Sequence, residues 1–299
     1  MHPSSRRRWR RHCLLLAAAV VLALWGCQEP DRPTAAPKTD RQSAAHVAPD
    51  PAPPDTTAPT GTAAPPAAAE PAAVTPQPEP VRPQVAIIID DMGYNLPLGQ
   101  QFLQLHARLS FSFLPHAPHA RELAQQAQTF GHDILVHLPM EPKEKDWRLE
   151  PETLMGTDSP EQIRKKVEKM LAAIPEAVGA NNHMGSLFSE NGQGMRVVIE
   201  TLKERGVYFI DSATTPGSQG LAVAERLHLP AARRQLFLDN RRETGAICRQ
   251  LRQLAALAQE QGQAIGIGHP HQAMLDAFNQ CGDEALRSVH LIGVSRLVR

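Results

Sequence analysis

The sequence predicts an α/β fold with parallel strands, a (β/α) barrel of seven to eight strands that is irregular or incompletely closed. Three features point to it. Strand-like apolar runs alternate with helix-like segments across 85–299. The leading run is unbroken, as in strands covered on both faces. Asp or His stands at the end of most runs. Repeated β-α units imply parallel strands joined by right-handed crossovers, and about eight of them favour a barrel over an open sheet. No repeat of fixed period is present, which excludes a solenoid.

Strands are expected near 85–90, 109–114, 133–138, 177–182, 207–211, 235–239, 263–268 and 289–294. Helical patterns fill most of the intervals. Ser159-Pro160-Glu161-Gln162 supplies an N-cap serine, a proline at the first helical position and a glutamine placed for a capping box. Met195, Val198, Ile199 and Leu202 form one apolar stripe stopped by Gly206, and Ile247, Leu251, Leu254 and Ala258 repeat the design before Gly262.

The most informative stretch is Ile87-Ile88-Ile89-Asp90-Asp91-Met92-Gly93, an apolar run that stops at two adjacent carboxylates. Neighbouring carboxylates repel and resist joint burial, so a pair at a strand end suits a metal, or one ionised acid beside one base. The plain alternative is an Asx turn closing the strand. Other strand ends weigh against it: His137, His183, Asp211, Asp239 and His269 close the third to seventh runs. Convergence of such groups at the carboxyl face is what a barrel active site requires. Imidazoles with one carboxylate describe a catalytic zinc-type site, and Asp91, His137 and His183 are the candidate ligands of a divalent metal, with zinc expected. His132 precedes its strand and belongs at the opposite face, whereas His116 and His119 are secondary candidates in a Pro-rich turn.

The N-terminus has a different character. A basic stretch over Arg6–Arg11, an apolar one from Cys13 to Trp25 and then Gly26-Cys27 have the layout of a secretory signal. Leu24-Trp25-Gly26-Cys27 resembles a lipobox, although Trp25 departs from the small or aliphatic residue usual there; an uncleaved anchor over 1–27 is the alternative. Residues 28–84 hold 15 of the 27 prolines and no hydrophobic periodicity, so they cannot bury enough apolar surface to fold and are expected to form a linker. Extended at roughly 3 Å per residue, such a tether reaches on the order of 100 Å from a membrane. The organisation expected is therefore 1–27 signal or anchor, 28–84 linker and 85–299 folded domain, exported and membrane-tethered in the periplasm. Balanced charge, 31 basic and 31 acidic residues, gives no support to a nucleic-acid partner. Cys248 and Cys281, the two cysteines of the domain, form no Cys-x-x-Cys motif, and paired or reduced states remain open.

The order of these motifs also carries a resemblance. Ile-Ile-Asp-Asp-Met-Gly, His-Leu-Pro-Met-Glu-Pro, Asn-His-Met-Gly-Ser and Gly-His-Pro look like the divergent polysaccharide deacetylases, relatives of the NodB-homology type, over essentially the whole domain. The resemblance implies a polysaccharide deacetylase fold, with Asp90 as catalytic base, Asp91 and His137 as metal ligands and His269 as general acid. Two departures stand out. Glu141 occupies the place of the second metal histidine, and Asn181-Asn182-His183 stands where an arginine motif orients the base. Either Glu141 or His183 could complete the ligand set.

The function expected is metal-assisted removal of acetyl groups from a cell-envelope or peptidoglycan-like polysaccharide. Asp211, Asp239, Asn182 and His271 are expected to bind substrate. A glycosidase using Asp90 with Asp211 or Asp239 leaves the histidines unexplained. The rival from another class is a deacetylase-fold domain without catalysis that binds glycan or a protein partner. Cys27→Ser is expected to release the protein from the membrane fraction or abolish lipid labelling; tight attachment persisting without lipid assigns an uncleaved helix instead.

Overall fold

The computed structural model describes residues 82–299. The expected signal or anchor over 1–27 and nearly all of the linker over 28–84 lie outside the described residues. The strands are β1 (Gln84–Met92), β2 (Ser110–Phe113), β3 (Asp133–Met140), β4 (Gly179–Met184), β5 (Tyr208–Asp211), β6 (Ala231–Arg233), β7 (Leu236–Phe237), β8 (Gln263–Gly268) and β9 (His290–Leu291). All pairings are parallel. The order along the sheet is β6-β5-β4-β3-β2-β1-β8-β7, with β9 beside β1, so the sheet curls into an incompletely closed barrel.

Two expected strands take a different form. The run expected over 235–239 keeps only Leu236 and Phe237 as β7, and an unexpected short strand, β6, precedes it; the two are successive in the chain yet stand at opposite ends of the strand order. The seam of the barrel falls between them. The run expected over 289–294 keeps only His290 and Leu291 as strand, paired with Gln84 and Val85 at the start of β1. Beyond it the chain turns inward: Val294 and Leu297 pack with Ala86, Ile88, Leu135, Ile210, Ile265 and Ile267 in the barrel interior. The Val294 N–H donates to Ser110 Oγ at 3.0 Å and the Ser295 N–H to Asp133 Oδ2 at 2.8 Å, which satisfies backbone that this plug would otherwise bury unpaired.

The helices are α1 (Leu96–Leu103), α2 (Ala120–Thr129), α3 (Pro160–Ala173), α4 (Gly192–Glu204), α5 (Gly220–Arg226), α6 (Thr244–Gln261), α7 (Gln272–Ala277) and α8 (Asp283–Leu286). The capping box at Ser159 and Gln162 forms in full at the start of α3. Both apolar stripes are buried, in α4 and α6, and Gly206 and Gly262 follow their helices with φ of 70° and 81°. These left-handed values are open to glycine without a Cβ clash.

Side-chain alternation divides the interior into two layers. Val85, Ile87 and Ile89 of β1 face the helices, in one apolar cluster with Ile134, Val136 and Leu138 of β3 and Phe209 of β5. Ala86, Ile88, Leu135, Tyr208, Ile210, Ile265 and Ile267 face into the barrel. Because the period is two, the next inward positions at the strands' carboxyl ends are Asp90, His137 and His269. The site is thus a polar lid on an apolar interior.

Cys248 of α6 and Cys281 are joined by a disulfide with a Cα separation of 6.0 Å. It closes a loop of 33 residues and ties α6 to the π-helical turn Phe278–Gly282. Replacing both cysteines by serine is expected to lower the unfolding free energy by about 3 kcal/mol, measured by denaturant titration of the oxidised protein and the double variant.

Candidate metal and catalytic site

Asp90 is the last inward residue of β1 before the strand breaks register with β2 between Ile89 and Met92. That irregularity, with Asp91 at a left-handed φ of 53°, turns a residue that would face the helices back over the barrel mouth. Met184 and Ala213, at φ of 53° and 49°, also stand at strand ends on this face. Strained backbone concentrates where side chains must be aimed.

Asp91, His137 and His183 each offer one ligand atom, and these atoms all lie within 4.8 Å of one another. Asp91 Oδ1 is 2.8 Å from His183 Nδ1 and 3.3 Å from His137 Nε2, yet it is buried without a hydrogen-bond partner of acceptable geometry. An orphaned carboxylate oxygen facing two imidazole nitrogens is a donor set that could hold a metal ion. Burial pushes Asp91 up, but the two imidazoles against it outweigh this and hold it well below the usual carboxylate range. Burial pulls His137 down, but the charges of Asp90 and Asp91 beside it prevail and raise it. A bound cation would take the place of that proton.

Asn181 sets the orientation of these groups. Its Oδ1 accepts from His137 Nδ1 at 2.8 Å and from Ser112 Oγ at 2.5 Å; its Nδ2 donates to Asp90 Oδ1 at 2.8 Å and to Ser212 Oγ at 3.2 Å. With Nδ1 protonated, the lone pair of His137 is on Nε2, the atom nearest Asp91. Asp90 is 2% exposed, and burial raises its carboxyl against the pull of His137, His269 and Asn181. Of the Asn181-Asn182-His183 segment, the departure noted in the sequence, it is thus Asn181 that holds the Asp90 carboxylate.

His269 stands on the other side of Asp91, with Nε2 4.0 Å from Asp91 Oδ2. Its Nδ1 donates to Asp239 at 3.1 Å, and its backbone N–H to Asp239 Oδ2 at 2.8 Å. Burial pulls the imidazole down, but the hydrogen bond to Asp239 and the carboxylates of Asp91, Asp239 and Asp90 push it up to about 9. Phe237 stacks beside the ring at 6.2 Å between centroids, and Arg234 lies 3.6 Å over the opposite partner of that stack, the Phe237 ring.

Several expected site residues are placed elsewhere. Glu141 follows the last residue of β3 and its carboxylate turns to the Gly156 N–H at 2.6 Å, so it lies outside the ligand group and anchors the loop over 141–156. Asp211 is inaccessible, because Phe209 and Asp211 share the helix-facing side of β5; its oxygens accept from Ser218, Ala213, Leu221 and Arg233. Asn182 likewise faces away from His183, giving its oxygen to the Ser212 N–H and its amide to Met184 O. Asp239 is 6% exposed and spent on His269 and His271, and His271 caps α7 through the Met274 N–H. These four side chains thus make positioning contacts, and of them His271 also lines the cavity beside Asp91 and His269. His132 bonds to the Leu103 and Leu109 carbonyls beneath the barrel, as expected, and His116 and His119 are outside the ligand group.

Fold and site together define an incompletely closed parallel (β/α) barrel with a two-histidine, one-carboxylate group at its mouth. The sequence profile described as Divergent polysaccharide deacetylase matches residues 87–298, and the chain belongs to that family. It is 35% identical over 215 residues to "Uncharacterized protein YibQ" of Escherichia coli strain K12, covering 72% of this chain and 67% of that protein. It is 32% identical over 217 residues to an uncharacterized protein of Haemophilus influenzae strain KW20, covering 72% and 77%. Among solved structures it resembles the uncharacterized protein ATU2773 of Agrobacterium tumefaciens C58, with a TM-score of 0.70, 24% identity, and coverage of 75% of this chain and 92% of that one. That likeness establishes the fold.

The His269–Asp239 pair has a definite pH window. A folded value raised from 6.5 to about 9 contributes stability that is full below pH 6.5 and lost as pH rises through about 9. Asp239 is lowered, its burial being outweighed by His269, so its share is present above 3.8 and lost as pH falls. NMR titration of the metal-free protein is expected to put the His269 ring midpoint near 9, and Asp239→Asn is expected to move it back towards 6.5. An ordinary midpoint in the unaltered protein would show that the pair does not form.

Proposed function

We propose that this protein is a metal-dependent hydrolase that removes acetyl groups from a cell-envelope glycan. The observation that carries the reading is the convergence of Asp91, His137 and His183 beside a spare buried carboxylate, Asp90, and a carboxylate-paired imidazole, His269. When bound, a divalent ion, zinc by the chemistry of its two imidazoles and one carboxylate, would polarise the acetyl carbonyl and make coordinated water acidic.

Asp90 is the base. Its Oδ2 is 3.6 Å from His137 Nε2, beside the ligand atoms, while Oδ1 is fixed by Asn181. Burial raises its proton affinity above that of a solvated aspartate, which suits it to accept a proton from water. His269 is the acid. Asp239 keeps it protonated at neutral pH and aims Nε2 across Asp91, where it can donate to a leaving amine or alkoxide. Asn181 holds Asp90 and His137 in mutual register throughout.

Export to an oxidising compartment belongs to the same proposal. The Cys248–Cys281 disulfide is a bond that persists in a periplasm and is rare in the cytosol, and the N-terminal succession of basic, apolar and Cys27 residues suits a membrane tether.

The test is metal content and acetate release on acetylated envelope oligosaccharides. His137→Ala is expected to lose the metal, since two protein ligands are too few to hold a labile divalent ion against water. Asp90→Asn is expected to retain it and lower acetate release by at least ~100-fold, because an amide cannot act as a base. Glu141→Gln is expected to leave metal binding intact where His183→Ala abolishes it. A protein that binds no divalent metal near stoichiometry would overturn the hydrolase and favour a glycan- or partner-binding domain.

A further inference from the structure

Tyr94 follows the Asp-Asp-Met-Gly turn and is 51% exposed, one of three exposed aromatic side chains among the described residues with Phe130 and Trp147. Its hydroxyl donates to Glu150 Oε2 at 2.6 Å, which pins the β1–α1 turn to the loop over 141–156 and holds the ring in place. The ring borders two cavities. One, of about 180 Å³, adjoins the catalytic site at Asp91 and His269 and is lined besides by Tyr94, Arg242 and His271. The other, of about 350 Å³, is lined by Tyr94, His116, Arg148, Leu149 and Glu150.

Each cavity contains one exposed arginine, Arg242 or Arg148. Neither guanidinium has an ion-pair or hydrogen-bond partner among the described residues, and what sets these two apart from other unpaired arginines is that each lines a cavity bordered by Tyr94. A planar guanidinium left free beside an anchored aromatic ring matches a ligand that offers an apolar face to the ring and a carboxylate or phosphate to the cation. The carboxylates of Asp90, Asp91 and Asp239 around the mouth would otherwise oppose such an anion.

We propose that the glycan bound here is acidic. An acetylated sugar enters the catalytic cavity, and Arg242 pairs with the carboxylate or phosphate of that sugar or its neighbour. The chain then crosses the face of Tyr94 to the second cavity, where Arg148 meets the next anionic group. The inference rests on the glycan-deacetylase reading for the identity of the ligand and extends it to substrate class.

Calorimetric binding to the metal-loaded protein tests it independently of turnover. The probes are chitotetraose, which is neutral, a tetrasaccharide alternating N-acetylglucosamine with glucuronate, and N-acetylglucosamine 1-phosphate. The expected result is tighter binding, by roughly tenfold, of one or both acidic probes than of chitotetraose at low salt, a gain that shrinks as salt screens the charges. The uronate and phosphate arms separate the two sources of charge. In the R148Q/R242Q double variant, with near-native circular dichroism and unchanged metal content, the ratio of acidic to neutral affinity is expected to fall to about one. Equal affinity for all probes, or a preference that survives in the double variant, overturns the proposal. An acidic preference without acetate release from any probe would sink the hydrolase reading and leave this one standing.

Discussion

One buried amide determines how the site is arranged. Asn181 uses both donor positions and both acceptor positions of its side chain, on Asp90, Ser212, His137 and Ser112. The network permits a single orientation: with oxygen and nitrogen exchanged, the amide oxygen would face a carboxylate and the NH2 would face the imidazole nitrogen that must carry the proton. That protonation state leaves Nε2 of His137 free for a ligand role. The same amide holds the neighbouring Asp90, so a candidate metal ligand and the carboxylate beside it are positioned by one side chain. An unsatisfied member of so deeply buried a network would cost roughly 1–3 kcal/mol, which makes the arrangement stiff.

The polar network can exist there because the barrel beneath it is closed by apolar packing. Ala86, Ile88, Ile210, Ile265 and Ile267 fill the interior, and the C-terminal residues Val294 and Leu297 seal it. Gly293 makes this turn possible, since an added Cβ would lie 2.4 Å from Asp133 Oδ2. Polar groups from β1, β3, β4 and β8 are thereby held at one level, at the mouth. Withdrawal from solvent strengthens the interactions among them and accounts for the shifts of Asp90, Asp91 and His269.

His183 and Glu141 are the two alternatives for completing the candidate donor set, and only His183 lies within reach of Asp91 and His137. His183 shares the inward face of β4 with Asn181, and its Nδ1 comes within 2.8 Å of Asp91. Glu141 lies past the end of β3, where its carboxylate instead holds Gly156 and, through its backbone carbonyl, Leu187 and Phe188. The loop it anchors also carries Glu150, the partner of Tyr94. A residue in the sequence position of a ligand thus supports the rim of the site.

Much of this was legible in the chain itself. Apolar runs ending in Asp or His identified the parallel strands and the face of the site, and the capping box and apolar stripes located α3, α4 and α6, because these signals depend only on local geometry. Period two could also have separated Asn181 and His183 from Asn182, and Ile210 from Asp211, since adjacent residues of a strand face opposite sides. Tertiary structure alone decided the rest. The turn of Asp91 depends on a break in register with β2, the pairing of Cys248 with Cys281 on the packing of α6 against the turn after α7, and the inward path of residues 292–298 on an interior that needed filling. The choice between His183 and Glu141 likewise depends on where separate strands end in space, a distance between elements that no local pattern encodes.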